Sequence, residues 1–317
     1  MTNGIKRKNQ SATTDHTPVI SVVMPVFNTS APILSEAVES ILKQSFSDFE
    51  FLIVDDSSSN TETLEYLESI SDTRVKVIHN PENMGCTKSL NVGFRAASGK
   101  YIARMDADDI SLPERMATQY AFMESHPDVV VCGSRVAYDM NDTAPTNRKS
   151  DSMDLFRIKL LFVNAGPSHP TAFFRREVLI RNHIEYNEEL RYAQDYDMWM
   201  RISRIGRIYI LPDKLLFYRL HSGQVSHAHR EEQIRCDKAT QKKLLLQLLD
   251  DVTEEEQDLH YRYSTGYYRG LKLTKEVRAW YRKLMRANDR KHVYPRFLFR
   301  RRVYRLMLGT IKRSRLK

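Results

Sequence analysis

Short runs of apolar residues alternate with stretches of helical periodicity along the first third of the chain. The β-branched run from Val19 to Phe27 predicts a buried strand, and the periodic apolar residues that follow Pro32 predict a helix. The same pattern predicts strands at 51–54, 75–78 and 101–105 and helices at 64–70 and 87–97. This alternation indicates an α/β fold with a parallel sheet flanked by helices, whose ligands lie beyond the carboxyl ends of the strands.

The second half of the chain is less regular. It predicts helices at 113–124 and 196–203, strands at 129–136, 171–174 and 208–211, and a polar connection at 141–150. Strand signals stop near Arg230, and the leucines between Leu244 and Leu249 begin a stretch that is typical of helices. We therefore divide the chain into a flexible N-terminal tail at 1–17, a sheet domain at 18–229, a helical extension at 230–293 and a basic amphipathic tail at 294–317.

Two acidic clusters directly follow predicted strands. They are Asp55 and Asp56 after the second strand, and Asp106, Asp108 and Asp109 after the fourth. A single aspartate at such a place commonly caps a helix or stabilises a turn. Three carboxylates within four residues repel one another unless a cation compensates them, and a divalent ion with oxygen ligands does so. The second cluster therefore predicts a metal site.

The composition is typical of a globular protein. The 317 residues (37.1 kDa) are 41% hydrophobic and 28% charged, which is enough to bury a sizeable core. The mean hydropathy is −0.51, and we find no apolar run near the roughly 18 residues that cross a bilayer. Residues 1–18 are polar and lack the apolar middle of a signal peptide, so we expect a cytoplasmic protein. The three cysteines form no C-x-x-C pair, which argues against disulfides and a zinc cage.

Positive charge is concentrated at the end of the chain. Lys and Arg total 49 against 40 Asp and Glu, and nine of the basic residues but no acidic one lie in 294–317. The apolar residues that interleave with them are Phe297, Leu298, Phe299, Val303, Tyr304, Leu306, Met307, Leu308 and Ile311. This composition is typical of a helix that binds to the surface of an anionic membrane. The alternatives are that the apolar stripe packs on the sheet domain or forms a homodimer contact.

Missing motifs narrow the choice of function. The sequence has neither the G-x-G-x-x-G loop of dinucleotide-binding enzymes nor a P-loop. Two other classes remain open, a haloacid-dehalogenase-like phosphotransferase that uses the aspartates after Met105, and a non-enzymatic basic adaptor. The aliphatic and aromatic residues of the tail argue against nucleic acid as the partner of its basic residues.

Six motifs in order resemble the family 2 inverting glycosyltransferases with the GT-A fold, a Rossmann-like nucleotide-binding sheet flanked by helices. They are SVVMPVFN at 21–28, VDDSS at 54–58, NMGCTKSLNVG at 83–93, MDADD at 105–109, AQDYDMW at 193–199 and YRLHSGQVS at 218–226. The resemblance covers about residues 18–226 and implies a metal-dependent transfer of a sugar from a UDP-sugar donor.

The resemblance also implies the residues that bind the donor and its metal. It makes Asp108 and His221 ligands of Mn2+ or Mg2+, gives Asp106 a contact with metal or ribose, and places Asp109 behind them. It places Asp56 against the nucleotide base. The remaining donor-binding residues that we expect are Pro25, Val26, Phe27, Asn83, Gly85, Lys88 and Ala107. A simple turn explains Gly85 equally well.

An inverting transfer needs a carboxylate that takes a proton from the acceptor hydroxyl. By resemblance this general base is Asp195, although Gln194 stands where the family usually has Glu. Asp197 is the competing candidate, and it is also placed to cap the helix that follows. His169 is a candidate for the acceptor pocket or an ordinary turn, and Trp199 for core packing or stacking on an acceptor sugar.

The resemblance extends to the acceptor and to the place of action. It implies a glycan or lipid-linked glycan acceptor in the synthesis of bacterial surface polysaccharides such as lipopolysaccharide or capsule. Together with the basic tail, it predicts a peripheral protein on the inner face of the cell membrane.

Overall fold

The structure is a computed structural model that describes residues 16–220, 229–265 and 270–314. These residues contain one eight-stranded sheet with helices on both faces. The strands are β1 (Ile20–Val26), β2 (Phe49–Asp55), β3 (Val75–His79), β4 (Tyr101–Arg104), β5 (Ile110–Ser111), β6 (Val129–Ala137), β7 (Phe173–Arg175) and β8 (Arg207–Phe217). The predicted N-terminal tail lies almost wholly outside the described residues.

The helices fall into two groups. Those of the sheet domain are α1 (Ala31–Leu42), α2 (Thr61–Ser69), α3 (Cys86–Ala96), α4 (Arg115–Ser125), α5 (Met153–Leu160), α6 (Arg176–Arg181) and α7 (Gln194–Ile202). Those of the C-terminal part are α8 (Arg230–Leu248), α9 (Glu254–Ser264), α10 (Lys275–Lys291) and α11 (Arg296–Ser314). The helical extension and the helical tail are therefore present as predicted from the sequence.

The strand order is β3-β2-β1-β4-β7-β6-β8-β5. The first four strands are parallel, as predicted, with Ile20 of β1 opposite Phe49 of β2 and Tyr101 of β4. The second half of the sheet is mixed, because β7 runs antiparallel to both β4 and β6, whereas β6 and β8 are parallel. An antiparallel neighbour needs no crossover helix, so the chain can enter β7 from an irregular segment.

Alternating residues of β1 contribute to two separate hydrophobic cores. Val22 and Met24 face a core that includes Val38 of α1, whereas Val23 faces the other core with Leu90 of α3. Burial of both faces explains why β1 reads as an unbroken apolar run rather than as an alternating one.

The C-terminal helices share a hydrophobic core with the sheet domain. Leu245 of α8, Tyr281 of α10 and Phe299 of α11 belong to the same cluster as Phe156 of α5 and Trp199 of α7. The predicted apolar stripe of the tail is accordingly not free as a whole. Its members Phe299, Val303 and Leu306 are buried, which corresponds to the alternative in which the stripe packs on the sheet domain.

None of the helices among the described residues is both long and apolar enough to cross a membrane.

Candidate functional site

Three parallel strands end side by side and place the candidate site at one edge of the sheet. Val26 at the end of β1 lies opposite Asp55 at the end of β2, and β4 adjoins β1 on the other side. The residues that directly follow these strands are Phe27, Asp56 and the MDADD segment at 105–109. The predicted grouping of the nucleotide and metal motifs at one edge is therefore observed.

The aspartates of the MDADD segment form a compact cluster. One carboxylate oxygen from each of Asp106, Asp108 and Asp109 lies within 4.8 Å of the others. Burial, followed by the charges of the neighbouring carboxylates, raises the pKa of Asp109 to about 8. Burial and the charge of Asp108 also raise the pKa of Asp106, despite the opposing effect of Arg104.

This donor set fits a hard divalent cation. The Oδ2 atom of Asp109 is buried and has no hydrogen-bond partner among the described residues. This oxygen can therefore accept a contact from a bound cation. All of its ligand atoms are oxygens, the type that Mg2+ and Mn2+ prefer. Ala107, between Asp106 and Asp108, is buried.

Arg104 lies at the end of β4 and lines the floor of the site. Its buried guanidinium binds Asp106 through two nitrogens, with Nη1 donating to Oδ2 at 2.5 Å. Its positive charge opposes the rise in pKa that burial causes in Asp106 and in Asp195. Arg104 is thus a cation that favours the charged form of both carboxylates.

Arg219 lies two residues after the end of β8 and binds that segment to the loop of Asp108 and Asp109. Its backbone N–H donates to Asp109 Oδ1 at 3.1 Å, and its Nε donates to the carbonyl oxygen of Asp108 at 2.9 Å. Arg219 also contacts Glu36 of α1 at 2.5 Å. His221 follows two residues later but lies outside the described residues, so its role as a metal ligand stays a prediction.

On the nucleotide side, Asp56 orders the loop that precedes α3. Its buried carboxylate accepts hydrogen bonds from Asn80 Nδ2 (2.8 Å) and from the backbone N–H groups of Met84 (2.9 Å) and Gly85 (2.8 Å). A carboxylate has about four acceptor positions. A contact between Asp56 and a base therefore stays a prediction beside this observed structural role.

The loop after β1 is fastened to the loop after β2. Asn28 has a positive φ of 50°, and its Oδ1 accepts from the backbone N–H groups of Ser59 (2.8 Å) and Asn60 (2.9 Å). This arrangement leaves the Phe27 ring 49% exposed next to the buried Val26, with Pro25 half-buried. The exposed ring can contact a planar base.

The N-terminus of α3 borders a small cavity. Gly85 precedes the helix with φ of +86°, a conformation that favours glycine, and a Cβ there would meet nothing within 4 Å. The backbone turn, and not crowding, therefore requires glycine. Seven residues line the cavity of about 160 Å3, namely Asn83, Met84, Gly85, Thr87, Lys88, Glu188 and Arg191.

Asp195 lies in the first turn of α7. Its Oδ2 accepts a hydrogen bond from Asn164 Nδ2 at 2.7 Å, and burial raises its pKa above the ordinary aspartate value. A raised pKa brings a carboxylate closer to the range in which it can accept a proton efficiently. This environment is compatible with a general base, and the catalytic role of Asp195 stays a prediction.

Asp197 has a different environment. It is buried, and its two oxygens bind Arg201 Nε at 2.7 Å and Lys243 Nζ of α8 at 3.0 Å. These contacts neutralise its charge and join α7 to the C-terminal helices. They favour a structural role for Asp197 over the catalytic one.

His169 and Trp199 are the remaining candidates on the acceptor side. His169 Nε2 lies 2.8 Å from the hydroxyl of Tyr186, and burial and the charge of Arg104 lower the pKa of His169, so its imidazole is neutral. Trp199 is fully buried and stacks on Phe174 with ring centroids 5.9 Å apart. The alternative in which Trp199 stacks on an acceptor sugar is therefore wrong.

Four residues of this site were not singled out from the sequence: Asn28, Arg104, Asn164 and Arg219. Arg104 is adjacent to a recognised motif, and a cation next to a carboxylate cluster is a signal that could have identified it. Asn164 is 31 positions from its partner Asp195, and no local pattern indicates that contact.

Comparison with known proteins agrees with this geometry. The family model described as "Glycosyl transferase family 2" matches residues 21–182. An uncharacterised glycosyltransferase of Haemophilus influenzae is 30% identical over 75% of this chain and 76% of its own length. An uncharacterised glycosyltransferase of Methanocaldococcus jannaschii is 35% identical over 64% of this chain and 71% of its own.

Solved structures show the same fold. S. aureus TarS in complex with UDP-GlcNAc is 22% identical, covers 93% of this chain and 89% of that chain, and has a TM-score of 0.61. The mannosyltransferase PcManGT from Pyrobaculum calidifontis, in complex with GDP-Man and Mn2+, is 16% identical with a TM-score of 0.55 and covers 94% of this chain and 76% of that chain.

Proposed function

The chain belongs to glycosyl transferase family 2, and we propose that it transfers a sugar from a UDP-sugar to a glycan or lipid-linked glycan with inversion at the anomeric carbon. The clustered oxygens of Asp106, Asp108 and Asp109 at the carboxyl ends of parallel strands are the observation that carries the proposal. Because the chain belongs to this family, we no longer favour the two alternative functions, the phosphotransferase and the non-enzymatic adaptor.

The transfer is a single displacement. Asp195 accepts the proton of an acceptor hydroxyl as that oxygen forms a bond to the anomeric carbon. The bond from this carbon to the phosphate oxygen breaks on the opposite face, and UDP leaves with the electron pair. Because attack and departure take place on opposite faces, the configuration inverts.

Asp106, Asp108 and His221 would hold the divalent ion, with Asp109 supporting these ligands. When bound, Mn2+ or Mg2+ neutralises the charge that develops on the diphosphate. Arg104 holds Asp106 in place, and Arg219 holds the loop on which Asp108 and Asp109 lie.

Two structural neighbours support the choice of donor and metal. TarS was crystallised with UDP-GlcNAc and PcManGT with GDP-Man and Mn2+, so this fold accommodates nucleotide sugars of both kinds. We favour UDP because the exposed Phe27 and the carboxylate of Asp56 together suit a pyrimidine that donates an N–H group. Pro25, Val26, Asn83, Gly85, Lys88 and Ala107 complete the proposed donor site.

The proposed acceptor belongs to a bacterial surface polysaccharide, and the proposed place of action is the cytoplasmic side of the membrane.

A donor screen tests the proposal. The purified chain is mixed with Mn2+ and, in turn, with UDP-glucose, UDP-galactose, UDP-GlcNAc and GDP-mannose, and nucleotide release is measured with and without EDTA. We expect release from one of the UDP-sugars that EDTA abolishes. Release from GDP-mannose alone would contradict the choice of nucleotide, and release that resists EDTA would contradict the metal.

A further inference from the structure

The outermost helix of the molecule has two distinct faces. One face of α11 packs into the core through Phe299, Val303 and Leu306. The opposite face exposes Phe297 (75%), Tyr304 (52%) and Leu308 (58%) to solvent. At 3.6 residues per turn, these three side chains lie on one stripe, which we call the outer stripe of α11.

Basic residues share this stripe. Arg301, Arg305 and Lys312 are exposed and fall within the same arc of the helix as Phe297, Tyr304 and Leu308. The stripe therefore alternates large apolar side chains with positive charges and has no acidic residue.

The neighbouring helix adds to the charge. α10 packs against α11 and exposes Arg278, Arg282 and Arg286, which lie on successive turns of its outer face. Glu276 and Asp289 are the acidic residues between 275 and 314. Asp289 already binds Arg296 at 3.0 Å and Arg300 at 2.5 Å, so it does not offset the outer arginines.

We propose that the outer stripe of α11, flanked by the arginines of α10, docks on the surface of an anionic lipid bilayer. The arginines and the lysine complement anionic headgroups, and Phe297, Tyr304 and Leu308 are of the type that enters the boundary between headgroups and acyl chains. This arrangement needs no loosening of α11, because its inner face stays packed on the core.

The composition of the stripe favours a bilayer over two other partners. A nucleic acid would use the positive charges but would leave exposed aliphatic side chains such as Leu308 without a matching surface. A symmetric contact between two copies would bring arginines of the same sign together, which is unfavourable at an interface. The inference does not depend on the donor or the acceptor of the proposed reaction.

Vesicle co-sedimentation of the full chain tests the proposal without any assay of activity. We expect binding to vesicles of phosphatidylglycerol and phosphatidylcholine, weak binding to pure phosphatidylcholine, and release from the anionic vesicles as salt is raised. Equal binding to both kinds of vesicle, or binding that salt does not change, would overturn the electrostatic part of the proposal.

Two sets of substitutions separate the contributions of the basic and the apolar side chains to vesicle binding. The charge set is Arg301→Gln, Arg305→Gln and Lys312→Gln, and we expect it to weaken partitioning by about 100-fold, since each basic residue near an anionic surface contributes about fivefold. The apolar set is Phe297→Ser, Tyr304→Ser and Leu308→Ser, and we expect a loss of at least about tenfold. All six side chains are exposed, so the melting temperature should change little.

Matched control sets change the same kinds of exposed residue elsewhere. They are Lys43→Gln, Arg148→Gln and Lys149→Gln for charge, and Ile180→Ser, Ile205→Ser and Leu246→Ser for apolar surface. We expect both controls to bind vesicles like the unchanged protein. Equal losses in the control sets and the stripe sets would overturn the assignment to α11.

Two further outcomes would replace the proposal. If a single-stranded RNA binds more tightly than anionic vesicles and the apolar set leaves that binding unchanged, the surface recognises nucleic acid. If the protein sediments as a dimer that the apolar set converts to a monomer, the stripe is a contact between copies. Either result would overturn docking on lipid.

Discussion

Two aspartates of α7 have opposite electrostatic environments although only one residue separates them. Asp195 has a neutral partner, Asn164, and burial raises its pKa. Asp197 has two cationic partners, Arg201 and Lys243. Both carboxylate oxygens of Asp197 are therefore engaged in ion pairs. This difference supports the proposal that Asp195, and not Asp197, is the general base.

Asp195→Asn should lower turnover by about 100-fold or more, because the amide keeps the size of the side chain but cannot take the proton. The affinity for UDP should stay the same, since Asp195 acts on the acceptor. UDP release and calorimetric titration measure the two quantities. Asp197→Asn is the control, and we expect it to lower the melting temperature while the folded protein keeps its turnover. The reverse pattern would move the base to Asp197.

Arg104→Met should destabilise the protein by about 3 kcal/mol, because it leaves the largely buried carboxylate of Asp106 without its cation. Mn2+ should then stabilise this variant more than it stabilises the unchanged protein, since the ion replaces the lost positive charge. Thermal unfolding with and without MnCl2 measures both effects. The same Mn2+-induced shift in the two proteins would show that Arg104 and the ion do not share the acidic cluster.

At the scale of elements, α8 contributes a second buried carboxyl group, which is affected by the charge of the candidate base. Asp237 is buried, and the hydroxyl of Tyr261 donates to its Oδ2 at 3.4 Å. Burial, followed by the charge of Asp195, raises the pKa of Asp237 to about 7. The helical extension is therefore electrostatically linked to α7 and not merely packed beside it.

This link predicts how stability depends on pH. An unfolded aspartate loses its proton near pH 4, whereas Asp237 keeps its proton in the folded protein until about pH 7. Between these values the unfolded state binds fewer protons, so the free energy of unfolding falls as pH rises. Above pH 7 the difference stays constant.

Asp237→Asn removes this titration. The free energy of unfolding of the variant, relative to that of the unchanged protein, should therefore rise between pH 4 and pH 7, by up to about 4 kcal/mol. Urea unfolding at pH 4, 5.5 and 8 measures it. A difference that does not change with pH would show that Asp237 has an ordinary pKa in the folded state.

At the scale of the whole molecule, the sequence predicts the half of the fold in which strand and helix alternate. Strands β1 to β4 and helices α1 to α3 lie within a few residues of their predicted ranges. β1, β2 and β4 form largely buried apolar runs, whereas β3 is a partly exposed edge strand that alternates apolar and polar residues. The edge at which the motifs meet follows from parallel pairing alone.

The remaining half depends on contacts that are distant in sequence. Helices α5 and α6 are short and were not predicted, and β8 continues past the predicted residue 211 to Phe217, where it pairs with β5. The antiparallel β7 is only three residues long. The burial of Phe299 in the core of the sheet domain follows from packing against distant helices, which periodicity within one helix does not reveal.

The candidate site likewise has parts that the local sequence predicts and parts that depend on residues distant in sequence. The acidic cluster is local, so the spacing of Asp106, Asp108 and Asp109 was enough to predict it. The environments of Asp195 and Asp197 depend on Asn164 and Lys243, which belong to other elements. Their different roles therefore required the structure.

Calorimetric titration of UDP with and without Mn2+ tests the donor site most directly. We expect UDP to bind at least about tenfold more tightly when Mn2+ is present, and Asp108→Asn to abolish that gain, because the ion joins the diphosphate to the acidic cluster. Asp197→Asn should keep the gain. UDP affinity that Mn2+ does not change, or a full gain in Asp108→Asn, would contradict a metal-dependent nucleotide site at the end of β4.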